Sequence, residues 1–255
     1  MYAEERQQAI ARLVTQRGRV SVNQLAREYD VTTETVRRDL STLERMGLVR
    51  RVHGGVVPPS SISLIEAGLR ERDLVNTEVK ERIARAALEL LPPPGGTVLL
   101  DAGTTTSRLA SLLPPDHPLS VSTHAVPIAA RLAGQRQLDL HLLPGRVRRT
   151  TQAAVGADTV EALSHLRVDV TFLGTNGITP EHGLTTPDPD EAAVKRALIA
   201  AGRQVVALAD ATKLGIDTAV RFASPGEIDV LVTDSAISNA DRRSLAKAGV
   251  EVVVA

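Results

Sequence analysis

The sequence predicts an α/β protein in which a small winged helix-turn-helix domain precedes a larger, mostly parallel α/β domain. Two short amphipathic helical patterns and a basic strand pattern that ends at Gly54-Gly55 indicate the first domain. From Thr97 onward, short apolar strands alternate with helical patterns, which is typical of a parallel sheet covered by helices on both faces. The chain has 255 residues, which exceeds the commonest size of one domain, so two domains are expected.

The helices of the first domain have well-marked starting points. Ser21 with Gln24 three positions later is a capping-box pattern, and Thr32 precedes the next helical run. The turn between the two helices is predicted at Tyr29-Asp30-Val31. The second helix repeats apolar residues at helical spacing, so one of its faces is expected to be buried: Val36, Leu40 and Leu43.

The opposite face of the second helix carries the hydroxyls and arginines that a DNA-reading helix needs. Such a helix enters the major groove with its N-terminal residues near base edges. An arginine on guanine discriminates sequence by roughly 1–3 kcal/mol, whereas an arginine on phosphate adds affinity alone, and the sequence does not assign either role to Arg37 or Arg38. The basic strand pattern predicts a two-stranded wing whose arginines could reach the sugar-phosphate backbone or the minor groove. The predicted DNA contacts are Ser21, Thr32, Thr33, Thr35, Arg37, Arg38, Arg50, Arg51 and His53.

The charge of the chain is divided unevenly along its length. Residues 1–57 hold ten arginines and seven acidic residues, a balance of +3, and the rest of the chain is −3 because the total is zero. A charged pair of amphipathic helices alone would suit a solvated surface or a dimerisation hairpin equally well. The wing pattern and the local positive charge favour DNA binding.

The amino-acid composition limits the cellular location and the binding partners that are expected for the protein. The chain has no cysteine, no apolar run near 20 residues and a charged amphipathic N-terminal pattern, so we expect a cytoplasmic protein with no membrane partner. Its four aromatic residues are too few for the stacking platforms that single-stranded nucleic acid binders use. Double-stranded DNA is therefore the expected nucleic-acid partner.

The segment Thr35–Leu40 reads Thr-Val-Arg-Arg-Asp-Leu and resembles the signature of the DeoR family of bacterial transcriptional regulators. Arg6, Ile10 and His53-Gly54-Gly55 stand where the winged head of that family would have them. The resemblance implies a repressor whose C-terminal domain senses a phosphorylated sugar or a related metabolite. We expect Asp39 to cap a helix or pair with an arginine inside the head rather than to contact a base.

A change of composition separates the two domains. Prolines after Gly54-Gly55 exclude regular helix and stiffen the chain. We predict a DNA-binding domain over residues 1–57, a linker over 58–75 and an α/β effector-sensing domain over 76–255. An amphipathic helix is predicted from Thr77 to Leu91, before a run of three prolines.

The second domain alternates predicted strands and helices, which indicates right-handed β-α-β crossovers. The predicted strands are Thr97 to Leu100, Leu119 to Val121, Leu138 to Leu143, Val168 to Leu173, Val205 to Ala209, Val230 to Val232 and Val250 to Val254. The predicted helices are Thr105 to Leu112, Val126 to Ala133, Thr159 to Leu163, Glu191 to Ala201 and Asp241 to Ala248. Ligands of such sheets bind outside the carboxyl ends of the strands.

A phosphate site is predicted where the first of these strands ends. Asp101 to Thr106 reads Asp-Ala-Gly-Thr-Thr-Thr and opens a helix, so glycine, hydroxyls and free helix amides converge there. A helix dipole contributes only about 0.3–1 kcal/mol to an anion, so a cation is also expected, and Lys213 after a later strand is the leading candidate. The same turn could serve only to start a helix.

Three further strand ends carry polar residues and favour a pocket over a simple turn. They begin near Thr123, near Arg148 and at Gly174. These segments resemble the sensor domain of the DeoR family, which is similar in fold to ribose-5-phosphate isomerase. His124 stands where members of the family often have asparagine, and we expect it and His182 to be polar loop or turn residues, although His182 could contact ligand. The predicted effector-binding residues are Asp101, Gly103, Thr104, Thr105, Thr106, Thr123, Arg148, Gly174, Asn176, Gly177 and Lys213.

The sequence thus predicts a repressor of a carbohydrate-utilisation operon that a phosphorylated sugar releases from DNA. Two-fold related heads imply a homo-oligomer, a dimer or a tetramer, and no cofactor, metal site or catalytic residue is predicted. One alternative is a sugar-phosphate isomerase with an accessory head, but Thr175 and Asn176 stand where its loop would need an acid, leaving Asp101, Asp188, Asp190 and Glu191 as acids. A second alternative is an interaction adaptor with a degenerate head.

Overall fold

The computed structural model describes residues 2–17, 20–52, 55–58, 66 and 68–255, with the side chains of residues 50–52 left out. Its internal contacts divide the chain into two units, Met1–Ile62 and Ser63–Ala255. Each unit has its own apolar core. Among the described residues, none of the helices has the length and apolarity that crossing a membrane requires.

The first unit is a three-helix head with a small antiparallel sheet. Its elements are α1 (Ala3–Arg17), β1 (Val20–Ser21), α2 (Val22–Glu28), α3 (Thr33–Arg45), β2 (Arg50–Val52) and β3 (Gly55–Val57). Strand β3 pairs with both β1 and β2. The two predicted helices and the predicted wing are therefore confirmed, and β1 is an addition because two residues are too few to show a strand period.

The predicted helix caps and buried face of the head are confirmed. The Ser21 hydroxyl accepts from the Gln24 amide while the Gln24 side chain accepts from the Ser21 amide, which completes a capping box. The Thr32 hydroxyl accepts from the Thr35 amide at the start of α3. The apolar face of α3 is buried against residues of α1 and α2: Ile10, Val14, Leu25, Val36, Leu40 and Leu43.

The second unit is a layered α/β domain. Its first elements are α4 (Leu69–Asp73), α5 (Thr77–Ala87), β4 (Thr97–Leu100), α6 (Thr104–Leu112), β5 (Leu119–Thr123), α7 (Val126–Leu132), β6 (Leu138–Leu142), β7 (Arg146–Arg148), β8 (Ala153–Val155), α8 (Ala157–Ser164) and β9 (Val168–Gly174). Its remaining elements are β10 (Gly177–Thr179), β11 (Gly183–Thr186), α9 (Pro189–Ala201), β12 (Gly202–Leu208), β13 (Val220–Ala223), β14 (Val230–Thr233), α10 (Asn239–Lys247) and β15 (Glu251–Val254).

The seven predicted strands all form one parallel sheet within the described residues, in the order β15-β14-β12-β9-β4-β5-β6. Helices cover both faces: Leu100 packs with residues of α5 to α7, and its neighbour Leu99 packs with residues of α8 and α9. The predicted mixed α/β class is thus confirmed. The helix predicted to reach Leu91 is α-helical only to Ala87 and ends in a 3₁₀ turn, Leu88–Leu90, a tightening common at helix ends.

The strand order reverses between β4 and β9. From β4 the sheet grows through β5 to β6 on one side, and from β9 through β12 to β15 on the other. A crevice forms outside the carboxyl ends of strands at such a switch point, and ligands of open α/β sheets bind there. Asp101 follows β4 and Gly174 ends β9, so two of the predicted effector residues lie at this point.

Two small antiparallel sheets lie outside the sequence predictions. Strands β7 and β8 form a hairpin, and β10, β11 and β13 form a three-stranded sheet. These strands have three or four residues each, too few for an alternating pattern to be recognised. They carry Arg148 and Gly177, and so they position two predicted effector residues.

Candidate functional site

The outer face of α3 presents two arginines to solvent. The side chains of Arg37 and Arg38 are 55% and 81% exposed, and each lies within 4 Å of the Glu34 carboxylate, at 3.6 and 3.8 Å. Exposed pairs of this kind contribute about 0–1 kcal/mol, so a DNA phosphate or base can replace Glu34 at low cost. The Thr32 and Thr35 hydroxyls hydrogen-bond each other at 2.9 Å within the helix cap.

The carboxylate of Asp39 points into the head instead. Arg6 on α1 donates through Nε to Asp39 Oδ2 at 2.6 Å, and Gln7 donates to Oδ1 at 2.9 Å. Both Arg6 and Asp39 are buried. The expected pairing of Asp39 with an arginine inside the head is confirmed, and it fixes α3 against α1.

The remaining predicted DNA contacts divide into caps and wing residues. Ser21 is the N-cap of α2, and its hydroxyl already accepts one amide. Arg50 and Arg51 lie on β2, which pairs with β3 as the wing. His53 lies outside the described residues.

In the second unit, Asp101 is the centre of a buried polar cluster at the switch point. It is 1% exposed and accepts from the Lys195 ammonium and from the Gly174 amide, the latter at 2.9 Å. Burial alone would raise the pKa of Asp101, but the charge of Lys195 and the hydrogen bond with His124 hold this pKa well below its usual range. Asp101 therefore joins β4, β9 and α9 as a permanent anion.

His124 completes this cluster from the end of β5. Its Nε2 lies 3.0 Å from Asp101 Oδ1 and 3.1 Å from the Ala102 amide nitrogen, and its Nδ1 lies 2.8 Å from the carbonyl oxygen of Ala154. Thr123 is also fully buried, and its hydroxyl donates to the carbonyl oxygen of Leu100. Both residues thus hold the loop after β4 in place. Within the described part of the chain, no cluster of three or more acidic or histidine side chains could bind a metal ion.

The N-terminus of α6 has no side-chain cap. Gly103 is the N-cap, and among described residues the amides of Thr104, Thr105 and Thr106 have no hydrogen-bond partner. The side chains of these three threonines are buried. Of their hydroxyls, that of Thr106 donates to a neighbouring group, the carbonyl oxygen of Gly103. Free amides and hydroxyls at a helix N-terminus are groups that bind phosphate.

A group of interacting cations includes Arg108 of this helix, because the charges of Lys213, Arg108 and Arg72 all act on Lys80. Lys213 follows Asp210 in a 3₁₀ turn after β12 and has no carboxylate within 4 Å among the residues that the structure describes. Burial lowers its pKa, and the nearby charge of Arg72 lowers it further. The other cations are Lys80 on α5, which donates to the carbonyl oxygen of Arg72, and Arg108, which donates to that of Thr104 at 3.0 Å.

Arg148 belongs to a separate ionic network. Its guanidinium contacts Glu66 at 2.5 Å, Asp188 at 2.9 Å and Glu191 at 3.1 Å. Burial alone would lower the pKa of Arg148, but the bond with Glu66 and the charge of Glu191 raise it above its usual value. Asn176 joins the network by donating to Glu66 at 3.3 Å.

The loops that carry Asn176 and Lys213 are in direct contact. The Gly215 amide donates to the carbonyl oxygen of Ile178 at 2.8 Å. A Cβ at Gly177 would lie 2.3 Å from the carbonyl oxygen of Ile216, so this position accepts glycine alone without moving the chain. This contact explains why a glycine follows Asn176.

Comparison with known proteins identifies the chain. The family model described as "DeoR-like helix-turn-helix domain" matches residues 6–61, and the model "DeoR C terminal sensor domain" matches residues 75–235. The HTH-type transcriptional regulator GlpR of Haloferax volcanii is 37% identical over 99% of this chain and 98% of its own length. The chain belongs to the DeoR family.

Other matches agree with a DeoR-family regulator. The glycerol-3-phosphate regulon repressor of Escherichia coli strain K12 is 33% identical over 92% of both chains. Ribose 5-phosphate isomerase A of Methanocaldococcus jannaschii matches with 16% identity over 55% of each chain and a TM-score of 0.40, a likeness too distant to carry an argument. The DeoR-family chain is therefore a transcriptional regulator with a DNA-binding helix-turn-helix head.

Several residues of the DeoR-family sensor domain were not predicted as site residues from the sequence. Lys195, Lys80, Arg72 and Glu66 lie in helices or in the segment before them, where a charged residue ordinarily faces solvent. Glu191 and Lys195 are four positions apart on α9, a spacing that suggests an exposed pair, yet both are 5% exposed and they bind different partners. Only the topology of the sheet reveals that these charges face inward.

Proposed function

We propose that this DeoR-family protein is a repressor of a carbohydrate-utilisation operon and that a phosphorylated sugar releases it from its operator. A relative that is named a glycerol-3-phosphate regulon repressor supports this proposal. The single observation that supports the effector half is the uncapped N-terminus of α6, where three amides have no hydrogen-bond partner among the described residues.

In this proposal the phosphate of the effector binds Gly103, Thr104, Thr105, Thr106 and Lys213. The free amides and the Thr104 hydroxyl donate to the phosphate oxygens, and Lys213 supplies the charge that a helix dipole alone lacks. Gly174, Asn176 and Gly177 line the side of the sugar. Asp101, Thr123 and Arg148 take supporting roles, because their polar groups are held by protein partners.

The head supplies the DNA-binding half of the proposal. Arg37 and Arg38 are exposed on α3, and Glu34 is the one described residue that pairs with their guanidinium groups, so both can reach the major groove. Thr33, Thr35 and the wing strands flank them. Asp39 is excluded from base contact because Arg6 and Gln7 bind it inside the head.

The environments of the acidic residues favour a sensor over an isomerase. An isomerase needs a carboxylate that is free to take a carbon-bound proton. Asp101 is bound by Lys195, Asp188 caps α9 and pairs with Arg148, and Glu191 accepts from Thr151 and Arg148. Asp190 is half-exposed and pairs with Arg146.

The effector acts in this proposal by shifting a population. An oligomer without effector holds two heads at operator half-sites, and the effector binds better to an arrangement in which that spacing is lost. The coupling requires two separable sites on one chain. Substitutions at one site should therefore leave binding at the other unchanged.

The test compares exposed arginines of the head with a threonine of α6 in the full-length protein. Arg37→Ala and Arg38→Ala should each weaken operator binding by about tenfold while effector affinity is retained. Thr104→Ala should weaken the effector by about tenfold and leave operator binding intact. Binding is measured by fluorescence anisotropy of labelled upstream DNA, with a panel of sugar phosphates as competitors.

Matched controls use similar residues outside the two sites. Arg85→Ala removes an exposed arginine of α5, and Ser111→Ala removes a hydroxyl from the last turn of α6. Neither should change either affinity. Equal loss of operator binding in all three test variants, without any metabolite, would show that the two sites are not separable.

A further inference from the structure

Glu66 lies near the start of the second unit, and its carboxylate is enclosed by other residues of that unit. The side chain is 4% exposed. Arg72 Nη1 donates to Oε1 at 2.8 Å, Asn176 Nδ2 donates to the same oxygen at 3.3 Å, and Arg148 Nη1 donates to Oε2 at 2.5 Å. Three donors from three parts of the chain thus bind both oxygens of one carboxylate.

The main donor does not depend on Glu66 for its position. Arg148 Nε donates to Asp188, and its Nη1 also donates to Glu191. Thr151 and Thr186 donate to Glu191 in turn. The Arg148 guanidinium would therefore remain in place if the carboxylate of Glu66 left.

The charge of the network favours a carboxylate over a phosphate in this position. Without Glu66, the two arginines balance the carboxylates of Asp188 and Glu191. A carboxylate restores the present balance of −1, whereas a phosphate dianion would add a second surplus negative charge beside two buried acids. A ligand group with one negative charge and two oxygens matches both the charge and the arrangement of donors.

The network also adjoins the proposed phosphate site. Asn176 is two residues from Gly174, whose amide binds Asp101 at the switch point. The charge of Arg72 acts on both Lys80 and Lys213. Arg72 therefore links the network around Glu66 to the cations of the proposed phosphate site through its charge.

We propose that Arg72, Arg148 and Asn176 form a carboxylate-binding subsite of the sensor domain, and that Glu66 is its resident occupant until a ligand carboxylate replaces it. The ligand class is a metabolite that carries a carboxylate, and its link to the effector rests on the proposed function.

The test removes the resident carboxylate and supplies a free one. Glu66→Ala deletes a CH₂–COO⁻ group, which acetate replaces atom for atom, and the midpoint of thermal unfolding of the full-length protein is measured with increasing sodium acetate. Acetate at about ten times its dissociation constant should raise this midpoint by about 2–5 °C. The wild-type protein should show no such gain, because a tethered carboxylate outcompetes a free one.

Four controls make the result specific. Acetamide, which is neutral and of the same shape, should not stabilise Glu66→Ala, and acetate should not stabilise Glu89→Ala, which loses an exposed glutamate of the sensor domain. Asn176→Ala in the Glu66→Ala background should reduce the acetate gain. The gain of Glu66→Ala beyond that of the wild type should be smaller with inorganic phosphate than with acetate, because both proteins keep the proposed phosphate site at α6.

The outcomes separate this inference from the proposed function. No gain with acetate, an equal gain with acetamide, or a larger gain beyond the wild type with phosphate than with acetate would overturn the carboxylate subsite, whatever the operator assays show. If acetate rescues Glu66→Ala while no sugar phosphate affects operator binding, the subsite stands and the proposed effector class fails. A Glu66→Ala protein that is unfolded without acetate and folded with it would support the subsite.

Discussion

Lys80 carries a charge at a position where burial opposes it. It is 5% exposed, and burial lowers its pKa from 10.5 to about 8, with a contribution from three neighbouring cations and an opposing one from Asp210. The unfolded chain therefore binds more protons than the folded chain between pH 8 and 10.5. Charged Lys80 lowers the free energy of unfolding by its full amount below pH 8. This loss becomes smaller as the pH rises from 8 to 10.5.

A phosphate bound at the N-terminus of α6 would favour the charged form of Lys80, so effector binding should depend on pH. With a pKa of about 8, Lys80 is mostly protonated at pH 7 and mostly neutral at pH 9. The affinity for a sugar phosphate, whose second pKa is near 6, should fall about tenfold over this range. Titration calorimetry in buffers of different ionisation enthalpy measures both the affinity and the proton uptake.

The control for this prediction removes the titrating group. Lys80→Met should bind the effector weakly and show a much flatter pH dependence, while Lys247→Met, which loses an exposed lysine of α10, should behave as the wild type. An unchanged pH dependence in Lys80→Met would assign the titration to another residue.

At the scale of residues, the sequence predicts polar groups that follow a strand but not their partners. Gly103 to Thr106 and Gly174 could be predicted because a glycine and hydroxyls after an apolar strand are a local pattern. The partner of Asp101 is Lys195, which is 94 positions away, and no local spacing indicates that contact. Arg148 could be predicted as an anion-binding residue, but its resident anions come from Glu66 and from α9.

At the scale of elements, one buried ion pair joins the first and last helices of the head. Arg6 on α1 and Asp39 on α3 are both buried, and Gln7 adds a second donor. Removing one member of a buried pair leaves an unpaired charge and costs about 3–5 kcal/mol. That loss is a large share of the stability of a domain of this size.

We therefore expect Asp39→Ala to unfold the head and leave the sensor domain folded. Operator binding should be lost, while the effector should still bind. Far-UV circular dichroism and limited proteolysis of the full-length protein measure the change, since only the first unit should become cleavable. Glu34→Ala is the control on the same helix, because its exposed carboxylate pairs only loosely with Arg37 and Arg38. A wild-type melting curve for Asp39→Ala would contradict this account of α3.

The long elements of this chain could be predicted and the short ones could not. All seven strands of the parallel sheet and the helices between them have apolar patterns long enough to indicate their type. Strands β7, β8, β10, β11 and β13 are short, and long-range pairing rather than local pattern determines them. Since these strands carry Arg148 and Gly177, the part of the proposed effector site away from α6 was harder to predict than the part at α6.

At the scale of the whole molecule, the chain combines one DNA-reading unit with one sensor unit. In the proposed dimer or tetramer, a second copy of the chain binds a second half-site, because a single head offers only a short contact with DNA. Two-fold symmetry then fixes the helical face on which the two half-sites lie. The spacing of the half-sites is therefore a property of the oligomer.

We expect the operator to tolerate insertion of a full helical turn better than that of a half turn. Five added base pairs between the half-sites should weaken binding at least about tenfold, because the second half-site moves to the opposite face of the DNA. Ten added base pairs should restore part of the affinity. Gel-shift titrations with the three DNA fragments measure the effect, and sedimentation fixes the oligomer. Equal affinities for the two insertions would argue against paired heads.

The contact between Gly177 and Ile216, with the hydrogen bond from Gly215 to Ile178, has a consequence for selectivity. This contact fixes the loop of Asn176 against the turn of Lys213. The distance between the loop and the turn therefore does not adjust to ligands of different size. We expect the carbon-chain length of a metabolite to decide whether it binds, because the distance between the two loops is fixed. A ligand one carbon shorter or longer would then lose its contact with either Asn176 or Lys213.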